Sequence, residues 1–239
     1  MLRCARSWSW RYDAFSGVRS VVFDLDGTLI DSVPDLALAV DLMLEELQYP
    51  KAGENRVREW IGNGADILVK RALTWAQEGF VPERQQLREA RALFDKHYAA
   101  NLTVGSRLYA GVLDTLARLR QQGLPLGIVT NKPSAFVRPL LEKFGLSDYF
   151  SVVLGGDDVV VRKPHPAALY LVLGTLGLRP QELLFVGDSE NDIKAAKAAG
   201  CLSVGLSYGY NYGESIALSE PDLVLHQFTG LLPALGIDR

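Results

Sequence analysis

"VVFDLDGTLIDS", residues 21–32, sets a short apolar run against two acids, Asp24 and Asp26, with one leucine between them. The apolar start reads as a buried strand. Residues i and i+2 of an extended chain share a face, so both acids point to about the same place. Two carboxylates that close repel, and one tends to stay protonated. A turn, a cation loop or a reaction centre would each produce such a string. A calcium loop wants glycine at its sixth position, and here Gly27 is at the fourth, after a strand rather than a helix.

The rest of the chain repeats the strand signal. Apolar runs at "PLGIVTN" (125–131), "FSVVLG" (150–155), "LLFVGD" (183–188), "LSVGLS" (202–207) and "DLVLH" (222–226) read as further buried strands. Amphipathic segments lie between them. In "GVLDTLARLRQQG", Leu113, Leu116 and Leu119 recur at helical spacing and Gly123 suits the C-terminal cap. Alternating strands and helices predict an α/β fold: a Rossmann-like parallel sheet covered by helices on both faces.

Residues 33–104 break the rhythm. They hold no convincing strand and four helical segments: "PDLALAVDLMLEELQY", "ENRVREWI", "ADILVKRALTWAQ" and "PERQQLREARALFDKHYAA". The expected organisation is a core of residues 19–32 and 105–239 with a four-helix insert, 33–104, after the first strand. Residues 1–18 carry Arg3, Arg6 and Arg11 ahead of the first acid, Asp13, but no apolar run of a secretory signal. They are expected to form a disordered extension.

Composition narrows the function. The chain has 239 residues, 48% hydrophobic and 22% charged, with a net charge of −3. A mildly acidic chain has no general pull toward nucleic acid or anionic membrane. No run of 18 apolar residues suggests a membrane span. Two cysteines, Cys4 and Cys201, make no disulfide framework, which fits a reducing, cytoplasmic setting. His97, His165 and His226 lie too far apart for ligand spacing.

In an open parallel sheet, ligands bind at the carboxyl ends of the strands. Those ends carry Asp24 and Asp26, then Thr130 and Asn131, then Lys163 in "RKPHP", then Asp188 and Asp192 in "GDSENDI". All-oxygen ligation by Asp24, Asp26 and Asp188 suits Mg²⁺. Thr130, Asn131 and Lys163 suit the oxygens of a phosphoryl group, whose transfer needs in-line positioning and neutralised charge. Asp24 could attack phosphorus, while Asp26 protonates the leaving oxygen and then activates water. Gly27 permits a tight turn beside the phosphate. Asp192 could either support the ion through water or orient Lys163.

Assembled in this order, "DLDGT", "VTN", "KP" and "GDSxxD" resemble the four motifs of the haloacid dehalogenase superfamily. The resemblance spans about residues 19–239. It implies that Asp24 is the nucleophile and Asp26 the acid/base, and that Asp24, the Asp26 backbone carbonyl and Asp188 bind Mg²⁺. It also implies that the helical insert is a cap closing over the site. Within the superfamily, "WIGNGAD", "LPLGIVTNKP", "FSVVLGGDD" and "GLSYGYNYGE" are most similar to the bacterial phosphoglycolate phosphatases. That implies hydrolysis of 2-phosphoglycolate, a small phosphate ester, by a monomer or homodimer. Another small-ester phosphatase, a hexose-phosphate mutase and a silent binding protein on the same scaffold are the alternatives. In the insert, "GNG" (Gly62, Asn63, Gly64) interrupts two helices, and free amides at such a helix start can hold the substrate carboxylate. Lys132, next to Asn131, could add positive charge.

Overall fold

A computed structural model of the chain describes residues 15–237. The elements run in the order β1 (Ser20–Phe23), β2 (Ile30–Asp31), α1 (Val33–Glu46), α2 (Glu54–Arg58), α3 (Ala65–Ala76), α4 (Arg84–Ala100) and β3 (Arg107–Leu108). The second part follows as α5 (Val112–Gln121), β4 (Leu126–Val129), α6 (Ser134–Lys143), β5 (Val152–Leu154), α7 (Ala167–Leu176) and β6 (Leu183–Gly187). It ends with α8 (Glu190–Ala199), β7 (Leu202–Leu206), β8 (Leu223–Leu225) and α9 (Leu231–Ala234).

Six strands form one parallel sheet in the order β5-β4-β1-β6-β7-β8. The chain starts at the centre, winds out through β4 to β5, then returns beside β1 and winds the other way. The ends of β1, β4 and β6 therefore flank the point where winding reverses, which is where open sheets bind ligands. Five of the six strands lie within the sequence segments predicted for them, and β1 begins one residue ahead of its segment, at Ser20.

Strand residues alternate between two cores, as the two-residue period requires. Val21, Phe23, Leu184 and Val186 join a large core on one face, and Val22, Leu183 and Phe185 join a smaller one on the other. The smaller core is closed by α7 and α8 through Leu169, Val172, Ala195 and Ala196. Removing a fully buried ring such as Phe185 would cost about 3–5 kcal/mol. Helix α8 is started by a capping box in which Ser189 and Asp192 serve each other, and stopped by left-handed Gly200.

The four helices expected between residues 33 and 104 are all present. The larger core runs on into them through Met43, Leu68, Val69, Ala72 and Phe94. A two-residue antiparallel ribbon, β2 with β3, pairs Ile30 with Leu108 and Asp31 with Arg107. It clasps the two chain crossings into and out of the helical insert. Four residues carry too little alternation to announce such a ribbon in the sequence.

The extension expected for residues 1–18 falls, up to residue 14, outside the described residues. Of the remainder, Ser16 and Gly17 are exposed. Phe15 is 5% exposed within the larger core, and Val18 packs against it.

Candidate active site

Strand β1 ends one residue before the acids. The amide of Asp24 still donates to Val186 O at 2.9 Å, so the backbone of Asp24 is fixed by the sheet. The chain then wraps around one carbonyl. Leu25 O accepts from the amides of Thr28, Leu29 and Ile30 at 3.3, 3.0 and 3.1 Å, while Gly27 N donates to Ile30 O at 2.8 Å. Buried Leu25 anchors the turn. Gly27 has φ +84°, and a Cβ there would run into the Asp188 carboxylate. Both conditions demand glycine.

Three carboxylates meet beside this turn. Asp24, Asp188 and Asp192, all buried, bring oxygens within 4.8 Å of one another. The strand following β1 in the sheet, β6, supplies Asp188 just past its end, and the first turn of α8 supplies Asp192. Thr28 Oγ1 donates to Asp188 Oδ1 at 2.7 Å, and the Tyr210 amide donates to Oδ2 at 2.8 Å. Asp192 Oδ2 accepts from Ser189 N and Oγ at 3.0 and 2.7 Å.

One ammonium enters the cluster. Lys163 Nζ donates to Asp192 Oδ1 at 2.6 Å and to Val129 O at 2.9 Å, and lies 2.9 Å from Asp24 Oδ1. The Asp24 contact is close enough for an ion pair but is not aligned as a hydrogen bond, so Asp24 Oδ1 is a buried oxygen with no hydrogen-bond partner. Burial pushes Asp24 up to about 6, against the pull of Lys163 and with a further push from Asp192. Burial and the charges of Asp192 and Asp24 hold Asp188 well above the usual carboxylate range. Lys163 is raised: burial pulls it down, and Asp192 and Asp24 more than offset that.

Charge bookkeeping gives the cluster its character. With all three carboxylates ionised, one ammonium leaves two negative charges uncompensated in a buried setting, which is why burial favours the protonated forms of Asp24 and Asp188. An oxygen-only donor set with that deficit fits a hard divalent cation, and the unpartnered Asp24 oxygen is the kind of group such an ion satisfies.

Asp24 and Asp26 line the same cavity, as their spacing implies. The expected crowding of their two carboxylates is corrected. The Asp26 carboxylate turns away from the cluster, accepting from Ser32 Oγ at 2.6 Å and pairing both oxygens with Lys132 Nζ at 3.0 Å. The reason is the turn around Leu25, which ends the strand geometry before Asp26. The carboxylate that joins Asp24 and Asp188 is Asp192, which both contacts Lys163 and stands among the acids.

The cavity lies between the strand ends and the helical insert. Asp24, Asp26, Thr130, Asn131 and Lys132 form its polar side. Leu36, Ile61, Leu68, Phe94 and Phe136 form its apolar side. Its volume is about 40 Å³, where one water needs roughly 10–15 Å³. Thr130 Oγ1 accepts from the Lys132 amide at 3.3 Å. Asn131 lines the cavity, and its side chain also makes contacts away from it. Its Nδ2 donates to Gly62 O and Lys163 O, each at 3.0 Å, and so ties the insert to the sheet.

The "GNG" segment separates in space. Gly62 and Gly64 line the cavity, and Asn63 does not. Gly62 O also accepts from Asn191 Nδ2 at 3.3 Å, and Asn191 Nδ2 reaches Tyr212 Oη at 2.7 Å. A Cβ on Gly62, at φ +117°, would sit 2.6 Å from the Tyr212 hydroxyl. Sequence reasoning missed Thr28, Ser32, Tyr98, Asn191 and the tyrosines of "GLSYGYNYGE". Thr28 and Ser32 lie within the opening stretch itself. Tyr208, Tyr210 and Tyr212 fall at every second residue, with Gly209 and Gly213 among them, a pattern that signals close packing. Tyr98 gives no local signal.

Comparison with known proteins agrees with this geometry. A family model for haloacid dehalogenase-like hydrolase matches residues 18–200. The phosphoglycolate phosphatase of Pectobacterium atrosepticum is 58% identical over 221 residues, covering 92% of this chain and 94% of that protein. The phosphoglycolate phosphatase of Escherichia coli K12 is 54% identical over 238 residues, covering 93% and 94%. The crystal structure of a predicted phosphoglycolate phosphatase from Haemophilus somnus superposes with a TM-score of 0.87 at 46% identity, covering 91% of this chain and 97% of that one.

Proposed function

The chain belongs to the haloacid dehalogenase-like hydrolases, and from that premise we propose that it hydrolyses 2-phosphoglycolate to glycolate and phosphate. The observation that carries the reading is the buried group of Asp24, Asp188, Asp192 and Lys163 beside a small cavity. The substrate named for its relatives supports the choice of ester.

The residues divide the work. An Asp24 carboxylate oxygen attacks phosphorus in line, forming the Asp24–phosphorus bond as the ester oxygen–phosphorus bond breaks. Asp26 gives its proton to the leaving alkoxide. Water then attacks the aspartyl phosphate, Asp26 takes a proton from that water, and phosphate leaves with the carboxylate of Asp24 restored. Thr130 offers its hydroxyl to a phosphoryl oxygen. Lys163 neutralises charge beside the nucleophile. The cofactor is Mg²⁺, held by Asp24, the Asp26 carbonyl and Asp188, with Asp192 in support. Bound there, it supplies the two positive charges that the cluster lacks and keeps Asp24 ionised.

The helical insert, residues 33–104, acts as the cap. Gly62 and Gly64 line the cavity just ahead of α3, where first-turn amides have no intrahelical acceptors and favour an anion. Replacing Gly62 or Gly64 shifts substrate preference more than phosphate affinity. Among the described residues no helix is long and apolar enough to cross a membrane, which accords with work in the cytoplasm on a small soluble ester.

A panel of small phosphate esters, including 2-phosphoglycolate and hexose phosphates, tests the reading. The expected result is metal-dependent release of phosphate with highest kcat/KM on 2-phosphoglycolate. Loss with EDTA and recovery with Mg²⁺ complete it. Preference for a hexose phosphate, conversion of one hexose phosphate to another, or no turnover at all would each overturn it.

A further inference from the structure

The second buried lysine, Lys132, has no role in phosphoryl transfer as derived above. Among the described residues that line the cavity it is the one cation. Its side chain is 3% exposed. Lys163 is already occupied at the reacting end, by Val129 O, Asp192 and Asp24.

Its surroundings are those of a carboxylate site that is filled by the protein itself. Lys132 Nζ meets both oxygens of Asp26 at 3.0 Å, the two-oxygen engagement a free carboxylate would receive. The same ammonium donates to Tyr98 Oη at 2.6 Å and stands 4.7 Å from that ring's centre. Since Tyr98 Oη accepts from lysine, its own proton remains to be given to another acceptor. Tyr98 is fully buried and fixed between Phe94, 5.5 Å away and stacked, and Phe136, 4.9 Å away and edge-on. A rigid hydroxyl and an ammonium thus face the cavity as a preformed pair of donors.

We infer that Lys132 and Tyr98 are the anchor for the substrate's carboxylate, and that Asp26 occupies that anchor when substrate is absent. This rests on the reading that the substrate is a carboxylated phosphate ester. An entering carboxylate displaces the Asp26 carboxylate from Lys132 and accepts from Lys132 Nζ and the Tyr98 hydroxyl. Asp26, still held by Ser32 Oγ, is then free to turn toward the leaving oxygen. An ester with an uncharged tail fills the same space but leaves Lys132 on Asp26. Lys132 and Tyr98 are on this account specificity-determining residues, and Lys132 also positions Asp26.

The test is a ratio. kcat/KM is measured for 2-phosphoglycolate and for ethyl phosphate, which has the same chain length without the carboxylate. It is measured in the Mg²⁺-loaded wild type, Lys132→Gln, Lys132→Arg and Tyr98→Phe. Intrinsic reactivity of the two esters cancels when ratios are compared between proteins. The wild type is expected to favour 2-phosphoglycolate. Lys132→Gln is expected to cut that preference about 10- to 100-fold, Lys132→Arg to keep most of it, and Tyr98→Phe to cut it about fivefold. A preference that survives Lys132→Gln within threefold, or survives Tyr98→Phe unchanged should the glutamine variant not fold, overturns the inference while leaving the substrate reading intact. A wild type that does not discriminate between the two esters overturns the substrate reading, and this inference with it.

Discussion

Lys163 Nζ and Asp192 Oδ1 are 2.6 Å apart, with side chains only 2% and 0% exposed. Neither charge has access to bulk water, so each depends on the other. Breaking one side of such a pair leaves the remaining charge buried, at a cost of about 3–5 kcal/mol. Asp192→Asn also relieves repulsion with Asp24 and Asp188, and Asn can still accept from the Ser189 amide. The expected loss is therefore at the low end, about 3 kcal/mol, read from urea unfolding of the metal-free protein. A variant as stable as wild type would show that Asp192 is not what holds Lys163.

Asp24→Asn is expected to abolish turnover, since an amide is no nucleophile, while the fold survives. Burial is the largest influence on Asp24, and it disfavours the charge. Removing that charge should leave metal-free stability within about 1 kcal/mol of wild type. Phosphate release at the wild-type rate would rule out the covalent route.

Stability of the metal-free protein should fall as pH rises. Asp24 and Asp188 bind protons more tightly folded than unfolded. Their contribution is fully present below the unfolded carboxylate value of about 4. It is lost as pH rises through about 6 for Asp24, and above the usual carboxylate range for Asp188. Thermal melts without metal should give a higher Tm at pH 5 than at pH 7.5 from this cluster. Saturating Mg²⁺ should raise Tm more at pH 7.5, because it binds the ionised carboxylates. A metal-induced increase that is the same at both pH values would contradict the assignment.

Activity should follow the same ionisation. At limiting Mg²⁺, kcat/KM should have an acid limb near the value of about 6 at Asp24. Saturating metal should move that limb to lower pH, since a cation favours the ionised carboxylate. A limb that ignores metal concentration would belong to another group.

Asn131→Ala removes the donor to both Gly62 O and Lys163 O. Leaving buried acceptors short of a partner costs about 1–3 kcal/mol. Because Asn191 shares the Gly62 acceptor, the double variant with Asn191→Ala should depart from additivity by about 0.5 kcal/mol or more. The urea midpoints of the two singles and the double decide it.

Most of the sheet was legible because each buried parallel strand writes an unbroken apolar run, and glycines close several of the helices. The four inserted helices were legible from amphipathic spacing alone. The acids were legible as a set since each stands just past a strand. The pairing within that set was not. Whether Asp26 or Asp192 joins Asp24 depends on where β1 stops, and that is decided by a turn around Leu25 whose bonds are local backbone geometry. The side-chain partners of Asn131, Gly62 and Lys163, come from segments far away in sequence and leave no local signal. Tyr98, in the last turn of α4, gives no signal because a phenol's hydrogen-bond partner leaves no trace in a helical period.

The carbonyl of Gly62 accepts from two amides that arrive from different places, Asn131 past β4 and Asn191 in α8. One oxygen is thus the common terminal for two separate arms of the catalytic core. Moving Gly62 away from the strand ends therefore breaks both bonds, so two elements of the sheet domain, far apart in sequence, are held to the helical segment through a single atom.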